Sequence, residues 1–120
     1  MKLTNSDIWQ AKEPLQRLMA VRFPVKTSYR LAKLTSKINE SIRVIDEVRV
    51  GLIKKYGTVD ERGQVAVLPD SAEWSDFVAE FNDLLTIEVD VDIEVVQLPE
   101  LGDAEIEPGV LLALEKFVEV

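Results

Sequence analysis

The chain has 120 residues, 47% hydrophobic and 30% charged, which is long enough to bury a core and unlike a disordered polymer. It contains no cysteine and no histidine, so disulfides, thiolate chemistry and the commonest neutral-pH base and zinc ligand are all excluded. Its net charge of −8 conceals a division: residues 1–56 carry 12 basic and 5 acidic side chains, and residues 57–120 carry 2 and 17.

The first ten residues, MKLTNSDIWQ, place no apolar run behind Lys2, and no stretch approaches the ~20 apolar residues that cross a bilayer, so a cytoplasmic chain with no membrane contact is expected. Thr4 and Asp7 have the spacing of a capping box. Ile8, Ala11, Leu15, Leu18 and Met19 then recur at helical intervals, which predicts a first helix over about 5–20 with a kink or restart near Pro14.

A proline-free helical pattern follows over about 26–56 and closes at Gly57, a position suited to a left-handed cap. Leu31, Leu34, Ile38, Ile45, Val48 and Leu52 follow an interrupted heptad and form a candidate oligomer seam. Lys26, Arg30, Lys33 and Lys37 share a second face, a candidate basic surface. At 1.5 Å per residue such a helix is about 45 Å long, whereas a domain of this size is roughly 35 Å across. It should therefore protrude, kink with Gly51 as the weakest point, or be supported by another copy.

Two glycines around an acidic turn lead to a short β-prone run at 65–68, expected to pair with a later strand. Trp74, Phe77, Val78, Phe81, Leu84 and Leu85 make the clearest apolar stripe, predicting a third helix over about 71–86 that anchors the core. Residues 87–96, IEVDVDIEVV, alternate strictly. As a strand they would present Glu88, Asp90, Asp92 and Glu94 on one face, a candidate acidic interaction surface. Pro108 suits the first turn of a last helix, with Val110, Leu111, Leu114, Phe117 and Val118 returning to the core. The whole reads as a single α+β domain over 1–120, mostly helical, with a small sheet or hairpin joining about 65–68 to 87–96.

No phosphate-cradling glycine loop, nucleophile elbow or HExxH is present, and the order DVDIE lacks the glycine and final glutamate of a calcium loop. No enzyme activity, catalytic residue, metal or cofactor is expected. The stretches PVKTSYRLAKLTSKINE, LIKKYG with DERGQV, FNDLLTIEVDVDIEVVQL and EPGVLLALEKFVEV resemble a family of small phage and prophage proteins of unknown function. The resemblance runs from Leu3 to Val120. It implies a phage-encoded, soluble product of the infected bacterial cytoplasm and supplies no functional residues; association with the virion is the alternative location.

The expected function is non-enzymatic: protein contact, in virion assembly or as an accessory factor, with self-association and a phage structural or host protein as partners. One alternative is an acidic inhibitor that imitates nucleic acid toward a host protein. Another is nucleic-acid binding by the basic helix, disfavoured by the acidic second half.

Overall fold

The computed structural model describes residues 1–98 and 106–119. The chain opens with β1 (Lys2–Thr4), which runs directly into α1 (Asn5–Met19). The capping box forms as the spacing predicts: Thr4 Oγ1 accepts from the Asp7 N–H, and an Asp7 carboxylate oxygen accepts from the Thr4 N–H, both at 3.1 Å. Ile8, Ala11, Leu15 and Leu18 form its buried face. Buried Asn5 is satisfied by donating from Nδ2 to Leu84 O at 3.0 Å. Pro14 lies within α1 without dividing it. Gln10, whose carbonyl loses its partner four residues on, is exposed, so water can satisfy that group.

The second helix, α2 (Val25–Tyr56), is continuous for 32 residues and passes Gly51 unbroken. Its length of about 48 Å sets the long dimension of the molecule, whose axes measure 52, 30 and 21 Å. Leu31, Leu34, Ile38, Ile42 and Ile45 are buried in the core it shares with α1. Past Ile45 the helix leaves that core, and Val48 is 43% exposed. Gly57 ends the helix with φ −83° and ψ 162°, extended and not left-handed. Glycine is required there by close approach. A Cβ would run into Ile53 O and lie 2.7 Å from Val65 Cγ1.

That approach arises because a hairpin folds back on the helix end. Its strands, β2 (Thr58–Val59) and β3 (Val65–Ala66), pair antiparallel. Asp60 organises the turn, its Oδ1 accepting from the N–H groups of Arg62 at 2.8 Å and Gln64 at 2.9 Å. Gly63 supplies the positive φ of 77°.

The third helix, α3 (Trp74–Thr86), starts with the first residue of its stripe, later than the expected 71, and buries no residue fully. Trp74, Phe77 and Phe81 form a half-buried file, with centroids 5.8 and 6.2 Å apart, that ends edge-on against Trp9 at 6.1 Å. The expectation that α3 anchors the core is thus corrected. Its aromatic face packs beside α1 and α2 at the edge, while the centre is filled by Ile8, Leu15, Leu18, Leu31, Ile38, Ile45, Leu114 and Phe117.

Two further pairs complete the sheets among the described residues. β4 (Glu88–Asp90) pairs antiparallel with β1, Leu3 opposite Val89, and β5 (Val96–Gln97) pairs parallel with β6 (Val118–Glu119). The architecture is α+β and mostly helical, with two-stranded sheets, as expected. The pairing of 65–68 with 87–96 does not form. Residues 65–66 take the nearer partner β2, for which loop closure across the short Asp60 turn costs less, while residues 88–90 pair with the distant β1 and residues 96–97 with β6. A short helix, α4 (Pro108–Ala113), opens on Pro108 and brings Val110, Leu114, Phe117 and Val118 into the core.

Candidate protein-contact groove

The acidic stretch is not one strand. After β4 the Ile93 N–H donates to Val91 O at 2.9 Å, a tight turn that interrupts the alternation. Val91 is buried, Val95 is 38% exposed and Val96 is buried again. All four acids nevertheless face water. Asp90 is held by the terminal ammonium of Met1 at 3.1 Å, and Glu88 lies beside it on β4, opposite Thr4. Asp92, at the centre of the turn, and Glu94, beyond it, belong to a different surface.

That surface is a groove of about 1050 Å³ between the first three turns of α2 and residues 92–97. Lys26, Arg30, Lys33 and Lys37 line one side and Asp92 and Glu94 the other, with Leu34, Ile93 and Val96 among the apolar residues between them. Val25 and Tyr29 stand at its edge, 81% and 69% exposed. None of these six charged groups takes part in an ion pair among the described residues. The two sign-bearing surfaces read from the sequence are therefore partly brought together, Asp92 and Glu94 with all four bases, while Glu88 and Asp90 stay apart. Tyr29 and Val25 were not singled out in the sequence. Their spacing of four residues, interleaved with Lys26 and Arg30, is the pattern that marks them.

The start of α2 intensifies the positive side. Pro24 occupies the cap position, no side chain caps the helix, and its first turn carries no acid to offset the helix dipole. An anionic group from outside would meet Lys26 and Arg30 near the positive helix end, with Lys33 and Lys37 further along the same side.

The seam predicted along α2 is largely occupied by the chain itself. Leu31, Leu34, Ile38 and Ile45 are at most 3% exposed. Leu52 is half-buried and Val48 exposed, so only this C-terminal part of the seam remains accessible.

Ion pairs elsewhere tie the two halves together: Arg17 to Glu107 at 3.1 Å, Lys55 to Glu80 at 3.4 Å and Lys116 to Asp7 at 3.1 Å. These are surface contacts, each contributing little to stability. Among the described residues, the two groups whose ionisation the fold displaces lie outside the groove. Hydrogen bonding with Tyr56, then with Glu80, raises Lys55 above the usual lysine range. At Asp7, burial pushes the carboxyl up, but the hydrogen bond from the Thr4 backbone and the contacts with Lys116 and the Thr4 hydroxyl outweigh it, leaving the group below its ordinary value.

A lowered carboxyl pKa means folding favours the charged form. Its contribution is complete above the ordinary aspartate range and is lost as pH falls through the lowered folded value. Asp7→Asn should therefore destabilise the protein at neutral pH by about 1 kcal/mol, the worth of a helix-start contact, and by clearly less near about pH 3. Urea unfolding of both proteins at the two pH values measures the gap, and a gap constant with pH would refute the assignment.

No family model, curated protein or solved structure matches this chain. Among the described residues no helix is long and apolar enough to cross a membrane, and no three acids gather as metal ligands would.

Proposed function

We propose that this is a non-enzymatic, phage-encoded protein that works by protein contact, in virion assembly or as an accessory factor, with the groove between α2 and residues 92–97 as its docking surface. The observation that carries the reading is the groove itself: an apolar floor bordered by Lys26, Arg30, Lys33 and Lys37 on one side and Asp92 and Glu94 on the other. A mixed-charge border over an apolar floor suits a polypeptide, which can present both signs and apolar side chains together. Nucleic acid fits it less well, because phosphates drawn to the bases would approach the acids opposite. The acidic-inhibitor alternative is favoured by one fact, that Glu88, Asp90, Asp92 and Glu94 are all exposed.

A photoreactive benzoylphenylalanine in place of Tyr29 tests the docking surface. Irradiation in cells of the natural host during infection should yield a protein adduct, either with a second copy or with another chain. Adducts confined to nucleic acid, or none, would rule the reading out.

A further inference from the structure

We infer that the occupant of the groove is a second copy of this chain, joined across a two-fold axis so that residues 92–97 of each molecule lie against the basic turns of the other. The inference rests on the protein-contact reading above and names the partner.

A two-fold interface places the same patch on both sides, so every contact is made twice and the patch must satisfy itself. This groove meets that condition: Asp92 and Glu94 face Lys26, Arg30, Lys33 and Lys37 across its width without an ion pair between them in the single chain. Bringing two copies together lets each acidic side enter the other's basic side. A purely acidic partner would be attracted by the bases but repelled by Asp92 and Glu94.

The N–H groups of Val96 and Leu98 donate to Phe117 O at 2.9 Å and Glu119 O at 2.6 Å, so β5 uses those residues to bind β6. Alternation along a strand then turns the N–H and C=O of Val95 and Gln97 toward the opposite edge. No backbone partner meets them there among the described residues. An extended segment of like length could pair along that edge, and the corresponding segment of a second copy supplies one.

Charge exchange gives a test that separates association from folding, because Arg30, Lys33, Asp92 and Glu94 are all exposed. Sedimentation velocity at concentrations on the order of 100 µM should show a dimer of the unaltered protein in about 0.05 M salt, weakened in about 1 M salt. Arg30→Glu with Lys33→Glu should weaken it on the order of 100-fold, as should Asp92→Lys with Glu94→Lys, since each variant sets like charges together twice. Mixed in equal amounts, the two variants should form a heterodimer within about tenfold of the original affinity, because both contacts are then opposite in sign. Circular dichroism and melting should match the unaltered protein throughout. A monomer at low salt, variants that dimerise undiminished, or a mixture that stays monomeric would each overturn the inference. If the Tyr29 adduct is with a different protein while the chain is monomeric, only the choice of partner fails; if no protein adduct forms, the protein-contact reading fails with it.

Discussion

Phe117→Ala should cost about 3–5 kcal/mol, a large part of the 5–15 kcal/mol that stabilises a domain of this kind. Phe117 is 2% exposed and sits in the core cluster with α1 and α2, so truncating it leaves a void that the surrounding helices cannot close without moving. Phe77→Ala offers the comparison. Phe77 is also a phenylalanine, on the strongest apolar stripe in the sequence, but it is only half-buried between Trp74 and Phe81. Its loss should cost about 1–2 kcal/mol, since water already reaches part of the ring and the neighbours can settle over the gap. Urea unfolding followed by circular dichroism measures both. If Phe77→Ala proved the more damaging, α3 would be the anchor of the fold and the packing described above would be wrong.

The two glycines of the long helix and its end should respond with opposite signs. At Gly57 a Cβ meets Ile53 O, Val65 Cγ1 at 2.7 Å and Ala66 O at 3.0 Å. Ile53 O belongs to α2 itself and the other two atoms to the hairpin, so relief requires the backbone at the helix end to shift and the hairpin to lift from it, and Gly57→Ala should destabilise by about 1–3 kcal/mol. At Gly51 nothing lies within 4 Å of a Cβ, and the backbone is helical. Gly51→Ala should therefore stabilise by about 0.5–1 kcal/mol, by restricting the unfolded chain at no native cost. Thermal melts of the two single variants report the signs directly. A loss at both positions would mean that α2 needs its glycine at 51 for bending, and a neutral Gly57→Ala would mean that the hairpin is not held against the helix.

The helices were legible because their signals are local. The Thr4–Asp7 box, the unbroken run to Tyr56, the stripe from Trp74 and the position of Pro108 each depend on residues within a few turns of one another. Strand partners were not legible in the same way. Residues 65–68 and 87–96 look compatible by composition, yet β3 closes on β2 through the Asp60 turn, while the later segment divides between the two chain ends. The turn at Val91–Ile93 also broke the acidic ladder, separating Glu88 and Asp90 from Asp92 and Glu94. As for the groove, its basic side was visible as a helix face, but what stands opposite that face has no sequence signature.

Sequence alone determined the composition of each surface: which residues share a helix face, where α1 and α4 begin and α2 ends, and the segregation of basic from acidic residues along the chain. It did so because helical periodicity and capping act over three or four residues. Only tertiary structure decided that the seam residues Leu31, Leu34, Ile38 and Ile45 are consumed within the molecule, that three aromatics of α3 lie at its margin, and that Asp92 and Glu94 face Lys26, Arg30, Lys33 and Lys37. Those outcomes depend on which of several apolar faces are buried against one another, a competition settled by the packing of the whole chain and not by any segment's own pattern.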